Sequence, residues 1–294
     1  MKIAVNGSVC DEREAVISVY DHGFLYGLGL FETFRTYGGR PFLLERHLRR
    51  LAAGCEALGF RYAPSEDAAE ALIASLLEVN GLPDAYIRLS VSAGVEALGL
   101  PAGDYDKPCE IVYVKPLPPR DETTYEKGKP VQRLKLPRNS PEGEYRFKSF
   151  HYMNNIMAKR EMLGYGWAAG AEGLFLDRFG HVAEGIVSNV FWIKDGVLHT
   201  PSLETGILPG ITREFVIETA MCAGLEVREG LYPWSMLLDA DEAFLTGSVQ
   251  EIVPVCSAFG LSGEKRLIGP GKPGPMTRQL MQQYAEAIGH HQAP

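Results

Sequence analysis

Cysteine is scarce and scattered: five residues, at positions 10, 55, 109, 222 and 256, with no C-x-x-C among them. An odd, dispersed set excludes a disulfide framework and a zinc cluster and points to a reducing, cytoplasmic setting. Positive charge is short as well. Lys and Arg number 29 against 37 Asp and Glu, a formal net charge of −8, which argues against a nucleic-acid or membrane-surface partner. An anionic ligand is still allowed, provided its cationic contacts are local. No apolar run reaches the length of a membrane span, and the opening MKIAVNGSVC lacks the apolar region of a secretion signal. Internal repeats and low-complexity tracts are missing too. Glycines at 23, 27 and 29 invite a dinucleotide-loop reading, but the third glycine of G-x-G-x-x-G is absent and a strand follows instead of a helix. A Rossmann fold is therefore rejected.

What remains is a chain of 294 residues, 46% hydrophobic, enough for one large or two medium domains. IAVNGSVC reads as a hairpin with an Asn6-Gly7 turn. FETFRTYGGRPFLL reads as a second hairpin turning at Gly38-Gly39, and its period of two puts Phe31, Thr33 and Arg35 on one face. An amphipathic helix follows, with Leu48, Leu51, Cys55 and Leu58 three or four apart. A second helix spans about 65–80, capped by Ser65 and stopped by Gly81. AYIRLSVSAG and CEIVYVKPLPP are strands. The prolines at 116, 118 and 119 suggest a first domain over 1–116, a linker over 117–128 and a second domain over 129–294.

The second domain is organised around residues 146–191. Lys148 is expected to open a helix whose greasy side carries Met153, Ile156, Met157 and Met162. GLFLD, a turn at Arg178–Gly180, and HVAEG leading into VSNVFWIK read as strands, with Glu184 at a strand end just before a glycine. GILPGITREF runs from a Pro-Gly turn into a helix beginning at Ile211 or Thr212, where exposed N–H groups and the helix dipole attract a dianion. FLTGSVQEIVPV supplies another small-residue turn carrying Ser248. The terminal helix is expected to fray, and His290-His291 reads as tail histidines with no metal site implied.

A lysine on one element and a carboxylate on a later strand suit pyridoxal phosphate (PLP) chemistry. The lysine bonds covalently to the aldehyde, and the carboxylate keeps the ring nitrogen protonated. On residue type alone, both positions are more commonly solvated charges. Three motifs decide the matter: K-S-x-x-Y-x-N-N from Lys148, A-E-G-x-x-S-N-x-F from Ala183, and G-I-L-P-G-I-T-R from Gly206. In this order and spacing they resemble the fold-type IV PLP enzymes: branched-chain aminotransferases, D-amino-acid aminotransferases and 4-amino-4-deoxychorismate lyases. The resemblance runs from about residue 3 to about residue 285.

That resemblance implies an α/β fold of two domains, D-amino-acid aminotransferase-like. The amino-terminal domain would be the smaller, the carboxy-terminal one larger and barrel-like. It also implies PLP as cofactor, a small amino substrate and a homodimer. Residue by residue, Lys148 would hold the cofactor and move the substrate proton, and Glu184 would pair with the ring nitrogen. Tyr152 would bond the ring hydroxyl, although its spacing from the lysine is one residue shorter than in branched-chain enzymes; the alternative is a core aromatic. Arg50, in H-x-x-R-L, would grip the phosphate with a planar charged fork. Leu208 would pack on the ring, and Ile211, Thr212 and Ser248 would complete the phosphate site. Tyr26, Phe31, Arg35 and Arg88 would form the substrate side, with Arg138 as a further candidate for a substrate carboxylate. Within the superfamily the F-E-T at Phe31–Thr33 resembles the lyases, closest to those of Bacillus-type bacteria, where the threonine hydroxyl assists elimination. The expected activity is release of pyruvate from aminodeoxychorismate to give p-aminobenzoate, with a class IV aminotransferase as the alternative. Thr33 is equally compatible with an ordinary β-branched strand residue.

Overall fold

Asn6 and Gly7 both take positive φ, 48° and 76°, and so close a tight hairpin between β1 (Lys2–Val5) and β2 (Ser8–Asp11). In the computed structural model, which describes residues 1–101 and 103–292, the chain divides into two compact units. The first comprises Met1–Pro119, Phe147–His151 and the chain from Ile288. After the short helix α1 (His22–Tyr26) come β3 (Gly29–Tyr37), β4 (Arg40–Pro41), α2 (Leu44–Ala57), α3 (Glu66–Asn80), β5 (Ala85–Ser92) and β6 (Cys109–Pro116). The strands form one sheet in the order β2-β1-β6-β5-β3-β4. The helix ends agree with the sequence reading: the Ser65 hydroxyl accepts from Ala68 N–H, and Gly81 ends α3 at φ 64°.

Alternation along the strands gives the sheet two different faces. Leu30 and Phe34 of β3, Ile87, Leu89 and Val91 of β5, and Val112 and Val114 of β6 pack with Leu48, Leu51 and Cys55 of α2 and Ile73 and Leu76 of α3. The same period turns Phe31, Thr33 and Arg35 to the other face, opposite Ser90, Arg88 and Tyr86 respectively in the β3–β5 register.

The second unit comprises Arg120–Arg146 and Tyr152–Ala287. The segment read as a linker contains a helix, α4 (Glu122–Lys127), whose N-cap Asp121 accepts from Thr123 N–H and the Thr124 hydroxyl at 3.2 and 2.6 Å. Three nearby prolines mask that cap in the sequence. Then follow β7 (Lys129–Arg133), α5 (Met153–Met162), β8 (Glu172–Leu176), β9 (Val182–Gly185), β10 (Asn189–Lys194), β11 (Val197–Pro201), α6 (Ile211–Cys222), β12 (Val227–Gly230), α7 (Trp234–Leu238), β13 (Glu242–Gly247), β14 (Glu251–Phe259), β15 (Lys265–Leu267) and α8 (Pro275–Gln292). The sheet runs β12-β11-β10-β13-β14-β7-β8-β9, with β15 beside β14. Its last strand, β9, also lies against β10 and β11 near the opposite end, so the sheet curls upon itself. Trp192, Leu174, Val131, Leu245 and Leu237 fill its main core.

Three expectations change here. Lys148 lies on an extended segment before α5, not at the helix start, and it belongs to the first unit. α5 also turns the other way: Met153, Ile156 and Met157 are exposed, while Asn155 and Ala158 are buried. Asn155 is drawn inward because its amide donates to the Ile186 carbonyl at 2.5 Å, a polar anchor that overrides the apolar stripe. The last residues of α8 do not hang loose either, since the His291 ring packs edge-on against Phe42 at 5.4 Å.

Candidate active site

In the first unit, the stretch around Lys148 is held like an extra strand beside β3. Phe31 N–H donates to the Lys148 carbonyl at 2.8 Å and Phe150 N–H to the Gly29 carbonyl at 2.9 Å. Glycine makes this approach possible. A Cβ on Gly29 would lie 2.3 Å from the Phe150 ring, and one on Gly27 would lie 2.9 Å from the His151 ring. The glycines that imitate a dinucleotide loop thus help to seat the lysine.

The Lys148 ammonium lies 4.7 Å from the centre of the Phe31 ring, and the Arg88 guanidinium lies 3.6 Å from it. Thr33 is the direct cross-strand neighbour of Arg88. Arg88 Nε donates to the Ser90 hydroxyl at 3.1 Å, and Arg88, Ser90, Ser92 and Tyr113 line a cavity of about 370 Å³. Arg35 is half-buried and stacks 4.3 Å from the centre of the Tyr37 ring. Tyr26 is partly exposed, its hydroxyl accepting from Gly99 N–H at 3.0 Å.

On the helix side of β3, Glu32 is buried and takes both oxygens' worth of donors: Arg50 Nε at 2.8 Å and NH2 at 2.6 Å, and His47 Nδ1 at 2.6 Å. Burial opposes its ionisation, but the Arg50 charge and the bonds from His47 and Arg50 prevail and hold the carboxyl down at about 2. Burial pushes His47 below its ordinary value against the pull of Glu32, so a neutral imidazole donates its Nδ1–H. Two of the five Arg50 donors are thereby fixed, which sets the plane of its fork.

In the second unit, Glu184 is 5% exposed at the end of β9. Arg138 Nε donates to its Oε1 at 2.7 Å; Leu208 N–H and Asn189 Nδ2 donate to its Oε2 at 3.0 and 3.3 Å. Arg138 is itself buried, and its NH1 donates to Asn154, Asn139 and Asn155 at 2.7, 3.2 and 3.3 Å. Three donors occupy three of about four lone-pair positions on the carboxylate and leave one acceptor position.

α6 begins at Ile211 with Gly210 as N-cap and no side chain capping it, so its first N–H groups have no side-chain acceptor from the cap. Gly210 is required there, because a Cβ would lie 2.1 Å from Asn189 Oδ1. The buried Thr212 hydroxyl lies 3.2 Å from that of Ser248 on the β13–β14 turn. Tyr152 is the N-cap residue of α5 and is half-buried.

A model of the amino-transferase class IV family matches residues 29–258, from the start of β3 almost to the end of β14. The chain belongs to that family. It is 47% identical to the aminodeoxychorismate lyase of Bacillus subtilis over 254 residues, 86% of this chain and 85% of that protein. Among solved structures, the branched-chain amino acid aminotransferase of Escherichia coli aligns at a TM-score of 0.83 and 29% identity, covering 97% of this chain and 92% of that one. A putative 4-amino-4-deoxychorismate lyase from Legionella pneumophila aligns at 0.81 and 26%, covering 94% and 97%. Class IV membership fits the mixed α/β architecture.

The first unit of this class IV chain brings the Arg88 and Lys148 cations to the Phe31 ring, with Thr33 the cross-strand neighbour of Arg88. The second gathers Glu184 and Leu208 in one cluster and Thr212 and Ser248 in another, with Ile211 starting the helix. Arg138 is the revision: its partner is Glu184, so it is no longer a candidate for a substrate carboxylate. Glu32, Asn155, Asn189 and Arg146 escaped the sequence reading. Arg146, buried, ties its Nε to the Gly206 carbonyl at 2.6 Å and its NH2 to the Asn139 carbonyl. The motif strings contain both asparagines, and their amide type at buried positions was the available signal. Among the described residues, no cluster of His, Cys, Asp and Glu could hold a metal ion, and no helix is long and apolar enough to cross a membrane.

Proposed function

We propose that the chain is a PLP-dependent aminodeoxychorismate lyase that releases pyruvate and leaves p-aminobenzoate. The observation that carries the choice of reaction is the placement of Thr33 beside Arg88, on the sheet face that also bears Phe31 and the Lys148 ammonium. The identity to the Bacillus subtilis lyase supports the same reading.

The residues fit the cofactor. Glu184 offers one remaining acceptor position for a ring N–H, backed by the Arg138 charge. The α6 N-terminus with the Thr212 and Ser248 hydroxyls suits a phosphate dianion, and the fork of Arg50, pre-set by Glu32, is the cation assigned to it. Leu208 is assigned to one ring face and Tyr152 to the ring hydroxyl. When bound, PLP supplies an electron sink for the carbanion formed at the carbon that carries the substrate nitrogen.

The chain's own groups do the rest. Lys148, once displaced by the substrate amine, takes the proton from that carbon, a role that needs its neutral amine. Arg88, with Arg35 as second candidate, binds substrate carboxylate, and Phe31 and Tyr26 wall the substrate. The Thr33 hydroxyl hydrogen-bonds the departing ether oxygen; the electron pair left by proton removal forms a ring double bond as the ring carbon–oxygen bond breaks, and the released enolpyruvate takes up one proton and tautomerises to pyruvate. Val16, Val19, Phe24, Leu98 and Leu100 are each exposed apolar side chains, and we assign their cover to a second copy of the chain in a homodimer; sedimentation at micromolar concentration tests that.

The deciding assay offers aminodeoxychorismate in one vessel and D-alanine or leucine with 2-oxoglutarate in another. Formation of p-aminobenzoate and pyruvate is expected. Rapid keto-acid exchange without p-aminobenzoate would replace the lyase by a class IV aminotransferase.

A further inference from the structure

The turn that carries Ser248 is held in an unfavourable backbone conformation by groups outside the cofactor site. It joins β13 to β14, with Gly247 opposite Glu251 in the register. Glu251 has φ 63°, a left-handed conformation in which a residue with a Cβ is strained and glycine is not. Two contacts fix it there. Arg120 NH1 donates to Glu251 Oε2 at 2.9 Å. One residue earlier, the Tyr125 hydroxyl of α4 donates to the Gln250 carbonyl at 3.0 Å. The grip is itself braced: the Arg120 guanidinium stacks 3.8 Å from the centre of the Tyr125 ring, and its Nε reaches Glu122 at 3.1 Å. Gly128, at the end of α4, lets the helix close on β14, since a Cβ there would lie 3.1 Å from Cys256.

We infer that Arg120 and Tyr125 are positioning residues for the phosphate group of the cofactor, acting through the 248–251 turn; this rests on the PLP reading above. They touch neither cofactor nor substrate. Their effect is to keep the strained Glu251 in place so that the Ser248 hydroxyl stays beside Thr212 at the start of α6. Releasing them lets the turn relax toward an ordinary β conformation at Glu251 and carries Ser248 off the phosphate. Because Arg120 is 41% exposed, its ion pair adds little to overall stability. Loss of the grip is therefore expected to show in phosphate geometry and cofactor affinity, not in folding.

The test uses the full-length protein with Arg120→Ala/Tyr125→Phe, Arg120→Ala, Arg120→Lys, and Arg120→Ala/Glu251→Gly. Three readouts are taken: PLP affinity by equilibrium dialysis, the ³¹P resonance of bound PLP, and thermal unfolding of the cofactor-free protein. The first variant is expected to bind PLP about fivefold more weakly, the scale set by one strained residue, with a shifted or broadened ³¹P line and an unchanged unfolding temperature. Arg120→Lys retains near-normal binding. Glu251→Gly regains most of the affinity lost in Arg120→Ala, because glycine keeps the left-handed turn unaided. Binding within twofold of the parent and an unmoved ³¹P line in the first variant would overturn the inference. A large fall in its cofactor-free unfolding temperature would also overturn it, by making the pair a folding element. If the parent protein itself fails to bind PLP, the cofactor reading falls instead.

Discussion

Replacing Arg138 by methionine strands the carboxylate of Glu184, and the loss can be worked from the contacts. The substitution removes a 2.7 Å charge-assisted bond to Glu184 Oε1, together with bonds to the side-chain oxygens of Asn139, Asn154 and Asn155. Glu184 keeps the Leu208 N–H and the Asn189 amide, at 3.0 and 3.3 Å, and the more distant Coulombic attraction of buried Arg146. Removing one partner of a buried pair costs about 3–5 kcal/mol, because the survivor's charge is left without a direct ion-pair partner. At about 2–3 °C per kcal/mol, that lowers the unfolding temperature by roughly 6–15 °C. The three tryptophans of the sequence, Trp167, Trp192 and Trp234, all lie in the second unit. Their fluorescence therefore follows the unit that carries the pair. Adding Glu184→Gln to Arg138→Met removes the stranded charge and is expected to recover about 2 kcal/mol. A loss below about 1 kcal/mol for Arg138→Met, or no recovery in the double variant, would refute the buried-pair reasoning.

Other outcomes follow from the same contacts. Gly29→Ala would drive a methyl group into the Phe150 ring; it is expected to cost about 1–3 kcal/mol of stability and, by shifting the Lys148 segment, to lower turnover at least tenfold in a p-aminobenzoate assay. The folded-state value of Glu32 is depressed from 4.5 to about 2. Its contribution is thus complete above about pH 4.5 and lost as pH falls toward 2, a change of roughly 3 kcal/mol. Acid titration of stability followed by circular dichroism should show that slope and its absence in Glu32→Gln. Lys148→Ala should abolish both turnover and the PLP absorbance of the parent, whereas Thr33→Ala should slow pyruvate release far more than it weakens PLP binding, as rapid mixing and dialysis would show.

Local order is legible in the amino-acid string. Asn6-Gly7 and Gly38-Gly39 mark two hairpin turns, Ser65 and Gly81 mark the ends of α3, and a period of two puts Phe31, Thr33 and Arg35 on one face of β3. Each of these depends on backbone preferences or periodicity within a few residues, so neighbouring letters contain the needed information. Tertiary structure decided the pairings. It joined Arg138 to Glu184, 46 residues on, turned Asn155 inward in place of the methionine stripe of α5, and laid Lys148 along β3 as an extended segment. Such choices depend on which donor meets which acceptor once the chain has closed, and burial makes an unpaired polar group costly enough to override a local pattern.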